Sequence, residues 1–284
     1  MGRVELPSPT WKVGIIAVIP HPPELNEGTT TLKNIARIEE VNRIIEVLQS
    51  IGVNVKWQNL TDVVIKVPHK LNLLGINHEA AKKTRSVLMF IGPLIHRSKN
   101  FIIPYAGGCN LGRRTVLPHL YALEEFGVKV ETRSGHYEVS SRIHTPRRNV
   151  VLYESGDTTT ENALLAAALT PGITVIKMAS ANYMVQDLCF FLEKLGVKIE
   201  GIGSSTLKVY GASKLNKNVT YYPSEDPVEA MTFISAAVTT NSSIKIKRVP
   251  LEFLELELLK LEKMGLRYDA SPSYKADTTQ TTVQ

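Results

Sequence analysis

The hydrophobic and polar positions along the chain follow one pattern that occurs four times. In each copy an amphipathic helix ends in a leucine-rich phrase that is closed by a glycine, and an alternating strand follows. These glycines, separated by 75, 69 and 69 residues, are Gly52, Gly127, Gly196 and Gly265. Glycine is the residue that most often ends a helix at its C-terminal cap. The pattern therefore predicts a repeated unit of about 70 residues that is part helix and part strand.

A second helix, made of small or apolar residues, lies upstream within each copy and also precedes a strand. It is clearest at 162–176, where an alanine-rich run leads into Ile-Thr-Val-Ile, and it recurs at 230–246. Strands from several such units can share sheets, with the alanine-rich helices packed inside. The sequence thus predicts an α/β fold of repeated units and argues against a solenoid of short repeats.

Breaks in this pattern predict how the units are grouped. The stretch 214–218 is mostly polar and follows a predicted strand, so it is the best candidate for a linker between the third and fourth units. We expect a three-unit domain at residues 1–213, the start of a second domain at 214–270, and a polar tail at 271–284.

Composition and charge narrow the classes of function. The 284 residues are 43% hydrophobic, which is typical of globular proteins. The formal net charge is +6, but the basic residues are spread along the chain and the aromatic residues (7%) are not interleaved with them. This favours a small anionic substrate over nucleic acid. No apolar run reaches the roughly 18 residues of a membrane span, and the N-terminus lacks a signal-peptide pattern. We expect a cytoplasmic protein without a membrane partner.

The two cysteines lie in different settings. Cys189 belongs to a predicted apolar helix and is most simply a core residue. Cys109 lies in a glycine-rich stretch, residues 104–114, which we call the cysteine loop, and Arg113 and Arg114 follow it. Glycines let the backbone approach a ligand, and arginines favour a thiolate or bind phosphate or carboxylate. A tight turn around a buried structural cysteine is the alternative. Neither cysteine has metal-ligand spacing around it, so we expect no metal, cofactor or disulfide framework.

Several motifs together resemble the enolpyruvyl transferase family, from about residue 13 to residue 270. The matching features, at the family's separations, are Arg85, Gly92-Pro93-Leu94, the cysteine loop, His119, Thr160-Glu161-Asn162 and 226–233. The resemblance implies an inside-out α/β barrel. It also implies transfer of the enolpyruvyl group of phosphoenolpyruvate to the 3-hydroxyl of UDP-N-acetylglucosamine, with release of phosphate. The branch of the family in the shikimate pathway lacks this loop, so Cys109 indicates the branch that serves peptidoglycan synthesis.

The resemblance also assigns site residues. Cys109 is the implied acid, which phosphoenolpyruvate can also capture covalently, and Asp226 is the implied base for the sugar hydroxyl. Asp226 also precedes a predicted helix, where a carboxylate acts as an N-cap. Arg85 and Arg114 are implied phosphate ligands, although solvated surface charges are the alternative. The remaining implied substrate-binding residues are Thr115, Val116, His119 and Thr158.

Two of these residues have strong structural alternatives. His119 begins a predicted helix, where a lone histidine is more often structural, so we expect a supporting role for it. Thr158 also begins a predicted helix. Its hydroxyl and the backbone amides there are suited to a diphosphate, although helix capping alone explains a threonine.

Three departures from the family pattern bear on activity. The family's Lys-Asn pair near the N-terminus is not clearly present, and Lys12 takes the role of the lysine only in a shifted register. The aspartate expected near the nucleotide base is Leu117, which leaves the nucleotide preference open. Of the family's six repeats, the chain shows three and the first of the next three. We expect an enolpyruvyl transferase or a truncated copy of one, which self-associates through its incomplete second domain. The alternative is an inactive homologue that binds a nucleotide sugar or a partner without turnover.

Overall fold

The predicted units are recognisable as successive groups of strands and helices in the computed structural model. It describes residues 2–5, 28–107, 115–215, 218–272, 274–275 and 281–282. The first group comprises β1 (Gly2–Glu5), β2 (Thr29–Leu32), α1 (Glu39–Ser50), β3 (Asn54–Trp57) and β4 (Val63–Lys66). The second comprises the 3-10 turn Leu73–Gly75, α2 (His78–Ala81), the 3-10 helix Arg85–Phe90, α3 (Ile91–Leu94), β5 (Asn100–Pro104), α4 (Leu117–Glu124), β6 (Val128–Arg133) and β7 (His136–Ser141).

The third and fourth groups repeat the same alternation. The third comprises β8 (Val150–Val151), α5 (Asp157–Ala167), β9 (Ile173–Lys177), α6 (Tyr183–Lys194), β10 (Lys198–Glu200) and β11 (Thr206–Tyr210). The fourth comprises β12 (Asn218–Tyr221), α7 (Pro227–Thr239), β13 (Ile244–Lys247), the 3-10 turn Leu251–Phe253, α8 (Glu255–Lys263), β14 (Tyr274–Lys275) and β15 (Thr281–Thr282). The predicted helix–strand pairs at 162–176 and 230–246 are confirmed as α5–β9 and α7–β13.

The repeated glycines end their helices as predicted. Gly52, Gly127, Gly196 and Gly265 follow α1, α4, α6 and α8 at φ angles of +94°, +79°, +100° and +101°, a region that residues with a Cβ atom rarely adopt. A strand follows in the first three units. In the fourth, residues 266–272 form no strand, so that prediction is wrong there. A strand is stable only when it pairs with another strand. In the third unit, β10 after Gly196 pairs with β11, whereas in the fourth unit β14 and β15 pair with each other.

The strands form three larger sheets that mix parallel and antiparallel neighbours. Their orders are β12-β2-β4-β3, β5-β7-β6 and β10-β11-β9-β8, with β12 parallel to β2 and β8 parallel to β9. A smaller parallel pair joins β1 to β13, with Gly2 opposite Ile244. The first strand of the chain therefore pairs with the fourth unit, and the strand that follows the third unit pairs with the first.

The alanine-rich helix α5 lies at the centre of the larger core. Every residue from 159 to 168 is fully buried, and α5 packs against α3, α4, α6 and the 3-10 helix Arg85–Phe90. Helices inside and half-exposed sheets outside are the inside-out α/β arrangement that the resemblance implied. Across the described ranges, no helix is both long and apolar enough to cross a membrane.

Two separate apolar clusters bear on the domain division. The larger extends from Leu32 to Tyr221, and the smaller consists of Ala230, Ile246, Val249, Leu254 and Leu258. The change from one cluster to the other lies between residues 221 and 230, which is later in the chain than the predicted boundary after residue 213. The predicted domain limits stay a prediction.

Candidate active site

The N-terminal turns of α4 and α5 bring two predicted site residues together. His119 is buried on α4, and its Nε2 lies 3.4 Å from Oγ1 of Thr158 in the first turn of α5. Its Nδ1 lies 3.4 Å from Nδ2 of Asn162, one turn further along α5. His119 is therefore held between two side chains of the central helix, which fits the predicted supporting role better than an exposed catalytic one.

A close approach between backbones positions Asn162. The Gly92 N–H donates to Asn162 Oδ1 at 2.9 Å, and a Cβ atom at position 92 would lie 2.6 Å from that oxygen. Only glycine leaves room for this contact. The Gly-Pro-Leu step singled out in the sequence therefore has a packing role: it lets α3 approach the centre of α5.

Arg85 and Thr115 are also brought together. The Arg85 Nη2 donates to the Thr115 carbonyl oxygen at 2.9 Å, across 30 positions of sequence. Thr115 Oγ1 accepts from the Leu117 N–H at 3.2 Å at the start of α4, and Val116 packs against the larger core. Arg85 thus contacts the backbone immediately after the cysteine loop. Cys109 and Arg114 lie outside the described residues, and so does Lys12.

Asp226 is the N-cap of α7, so the structural reading of this residue is confirmed. Its Oδ1 accepts from the Val228 N–H at 2.8 Å and from the Tyr183 hydroxyl at 3.2 Å. Burial and the neighbouring carboxylate of Asp226 raise the pKa of Tyr183 well above its ordinary value. Tyr183 therefore stays protonated and donates to Asp226 at neutral pH.

The start of α6 links Asp226 to the start of α5. Asn182 Nδ2 donates to Asp157 Oδ2 at 2.9 Å, and Ser180 Oγ donates to Asp157 Oδ1 at 2.5 Å. Tyr183, which follows Asn182 in the sequence, donates from its hydroxyl to Asp226. The N-termini of α5, α6 and α7 therefore meet, and the aligned backbone N–H groups of helix starts favour negative charge there.

Comparison of the sequence with known proteins identifies one family. The family model described as EPSP synthase (3-phosphoshikimate 1-carboxyvinyltransferase) matches residues 23–283. The chain belongs to the EPSP synthase family. Within it, the chain is 34% identical over 241 residues to UDP-N-acetylglucosamine 1-carboxyvinyltransferase 1 of Carboxydothermus hydrogenoformans, covering 85% of this chain and 56% of that protein. It is also 34% identical over 226 residues to UDP-N-acetylglucosamine 1-carboxyvinyltransferase of Treponema denticola, covering 79% and 52%.

Solved structures of the same family share the fold. The enolpyruvyl transferase NikO from Streptomyces tendae superposes with a TM-score of 0.79 at 17% identity, covering 100% of this chain and 65% of that one. EPSP synthase from Acinetobacter baumannii gives 0.71 at 16% identity, covering 99% and 63%. The predicted inside-out α/β fold is confirmed. The chain spans about half the length of the curated EPSP synthase family relatives that it matches.

Two buried carboxylates support the segment that leads to Asp226 in this family member. Asp187 on α6 is fully buried, and its Oδ1 accepts from the Tyr221 hydroxyl at 2.7 Å and from the Ser224 N–H at 3.0 Å. Glu225 is also fully buried and pairs with Arg248, whose Nε lies 2.6 Å from Oε1. These contacts fix residues 221–225 and hence the position of Asp226.

Sequence reasoning missed several residues of the site. Asn162 belonged to a motif quoted for the family resemblance, so its position was flagged, but no role followed from it. No sequence signal marked Tyr183, Asn182 or Asp157. Their contacts join helix starts that are distant in sequence and adjacent in space. Cys189 was identified correctly as core: it is fully buried, and burial raises the pKa of its thiol.

Proposed function

We propose that the chain carries the site that transfers the enolpyruvyl group of phosphoenolpyruvate to the 3-hydroxyl of UDP-N-acetylglucosamine, in the synthesis of peptidoglycan. The observation that carries the proposal is its 34% identity, over 85% of the chain, to a relative named for this reaction. The meeting of three helix N-termini beside Asp226 supports it, because both substrates are anions.

Asp226 is the proposed base. Both hydrogen bonds that the described residues give its carboxylate fall on Oδ1. Oδ2 is therefore suited to accept the proton of the sugar 3-hydroxyl while the hydroxyl oxygen bonds to C2 of phosphoenolpyruvate. The protonated Tyr183 donates to Oδ1 and so orients the carboxylate.

Cys109 is the proposed acid, which gives its proton to the methylene carbon of phosphoenolpyruvate. The Cys109 thiolate then takes a proton back from that carbon as the bond from C2 to the phosphate oxygen breaks, which forms the new double bond and releases phosphate. Arg85 and Arg114 are the proposed phosphate ligands, because a guanidinium binds two oxygens at once. Thr158 and the amides at the start of α5 are proposed to hold the diphosphate of the nucleotide sugar, with Thr115, Val116 and His119 lining the same region.

A second candidate is a homologue that binds the nucleotide sugar without turnover. The observation that favours it is the exposure of apolar side chains in the fourth unit. On α7, Val228 is 63% exposed and Val238 is 49% exposed. Leu117, which replaces the family's aspartate near the nucleotide base, is 46% exposed and leaves nucleotide preference open.

Exposed apolar residues on α8 support a proposal about association. Leu256 and Leu259 on α8 are 57% and 49% exposed, close in sequence to the buried Leu258 of the smaller cluster. Apolar surface of this kind favours a protein partner. We propose that the isolated chain self-associates through it, in the cytoplasm. A mass measurement in solution across a hundredfold range of concentration tests this; a monomer throughout would contradict it.

The function is tested by phosphate release from phosphoenolpyruvate, with and without UDP-N-acetylglucosamine. Three matched chains are compared: the natural one, Cys109→Ala and Asp226→Asn. Asparagine is as good an N-cap as aspartate, so Asp226→Asn removes the base while keeping α7 capped. We expect release that depends on the sugar and is lost in both variants.

Two other outcomes separate the candidates. Binding of UDP-N-acetylglucosamine without phosphate release from a folded sample would favour the binding protein. Release that persists in Asp226→Asn would contradict the proposed base while leaving the transferase in place.

A further inference from the structure

Asn162 is held in one orientation by two backbone groups. It is fully buried near the middle of the larger core. Its Oδ1 accepts from the Gly92 N–H at 2.9 Å, and its Nδ2 donates to the Leu88 carbonyl oxygen at 3.2 Å. A backbone N–H only donates and a carbonyl only accepts, so exchanging the oxygen and nitrogen of the amide would break both bonds.

This orientation decides what Asn162 presents to His119. Asn162 Nδ2 lies 3.4 Å from His119 Nδ1, and an amide nitrogen donates hydrogen bonds but does not accept them. Nδ1 must therefore accept, because a proton on Nδ1 would point at the N–H of the amide. The ring is then neutral, with its proton on Nε2.

The proton on Nε2 in turn decides the role of Thr158. Nε2 lies 3.4 Å from Thr158 Oγ1, so the hydroxyl oxygen accepts this hydrogen bond. A hydroxyl that accepts still has its own proton to donate. Thr158 is half-buried in the first turn of α5, an 11-residue helix, where negative charge is favoured.

We propose that Asn162 is a positioning residue, which fixes His119 as the neutral tautomer protonated on Nε2, and thereby leaves the Thr158 hydroxyl to donate to a diphosphate oxygen of the nucleotide sugar. The identity of this ligand rests on the proposed function; the tautomer does not.

The tautomer is measured from the ring nitrogen shifts of His119 in the full chain at neutral pH, labelled with ¹⁵N. The chain has seven histidines, and a His119→Gln variant assigns the signal. We expect the neutral ring protonated on Nε2. A ring protonated on Nδ1, or a doubly protonated ring, would overturn the proposal.

Two variants separate the role of Asn162 from that of Thr158. Thr158→Val removes the acceptor at Nε2 and should leave the tautomer unchanged, whereas a switch would show that Thr158 sets it. Asn162→Asp still accepts from Gly92 but presents an acceptor to His119, so Nδ1 should become protonated. If Asn162→Asp does not fold, the His119 tautomers measured in the natural chain and in Thr158→Val test the proposal.

The ligand is tested by calorimetry with UDP-N-acetylglucosamine. Thr158→Val should weaken binding about tenfold or more, as expected for a lost hydrogen bond to a charged group, and uridine, which lacks the diphosphate, should not distinguish the two chains. Equal affinity of both chains for the nucleotide sugar would overturn the role of Thr158. A natural chain that does not bind the sugar at all would count against the proposed function and leave the tautomer result standing.

Discussion

Helices α5 and α7 occupy the same place in successive units, yet they have opposite surroundings. Residues 159–168 on and beside α5 are fully buried, whereas Pro227 and Ala230 are the only buried residues of α7. Both helices are rich in alanine and other apolar residues. The difference is in their neighbours: α5 has α3, α4 and α6 around it, and the described residues supply α7 mainly with β13 and a few side chains beyond it. Burial of a repeated helix therefore depends on how many units pack around it.

The largest expected effect concerns a leucine at the centre of α5. Leu165 is fully buried, and Leu165→Ala should lower the free energy of unfolding by about 3 kcal/mol, through lost burial and the cavity that remains. The matched change on α7 is Val238→Ala, which should cost less than about 0.5 kcal/mol because Val238 is half exposed. Urea unfolding of both variants measures the difference. Equal losses would contradict the contrast between the two helices.

Alkaline pH should destabilise the chain through buried groups around α6. Burial raises the pKa values of Tyr183, Tyr221 and Cys189 in the folded state. Above the ordinary values of 9.0 for the thiol and 10.0 for tyrosine, the unfolded chain loses these protons first. The contribution of these three groups to the free energy of unfolding should therefore be steady below pH 9 and fall above it, by up to about 1.4 kcal/mol per pH unit for each group.

The control for that pH dependence is Tyr221→Phe, followed by urea unfolding between pH 8 and pH 11. The variant should lose stability at pH 8, because Asp187 and Ser224 lose a neighbour in a buried network, but its stability should fall less steeply above pH 10. An unchanged slope would show that Tyr221 ionises as easily in the folded chain as in the unfolded one.

A smaller effect concerns the cap of α7. Asp226→Ala removes the oxygen that accepts from the Val228 N–H and should cost about 1 kcal/mol, whereas Asp226→Asn should cost a few tenths. Thermal unfolding of the two variants compares them. Because α7 has few other contacts, the loss in Asp226→Ala should be accompanied by faster amide exchange in α7. Similar stabilities of the two variants would mean that the cap bond contributes little.

The smallest expected effect concerns the link between α6 and α7. Tyr183→Phe removes the bond to Asp226 but keeps the ring packed against Phe253, with ring centres 5.8 Å apart. Because this O–H···O bond is long, at 3.2 Å, we expect a loss of only about 0.5 kcal/mol, with faster exchange in α7 and unchanged exchange in α5. Faster exchange in both helices would show that they open together.

Much of this fold followed from local patterns, and the failures have a common cause. The glycine caps and the helix–strand order were predictable because the left-handed backbone conformation that ends an amphipathic helix favours glycine at one position, such as Gly196. The missing strand after Gly265 was not predictable, because a strand depends on a partner elsewhere. The exposure of α7 is the same kind of failure: its composition alone indicates a buried helix.

The site was predictable only where one residue carries a motif. Asp226 and His119 were predicted as site residues from their motifs; those roles stay predictions, and the structure adds what each residue contacts. The hydrogen bonds of Asn162 and Tyr183 join residues that are 43 positions apart in sequence, so no local pattern contains them. Cys109 stays a prediction, since it lies outside the described residues.

Native-state amide hydrogen exchange tests most directly whether α5 and α7 differ through their neighbours. If they do, the amides of α5 should exchange only through unfolding of the whole molecule, with an opening free energy that follows urea in the same way as global unfolding. The amides of α7 should exchange through a smaller opening that depends little on urea. Equal protection of the two helices, with the same dependence on urea, would contradict this account of the fold.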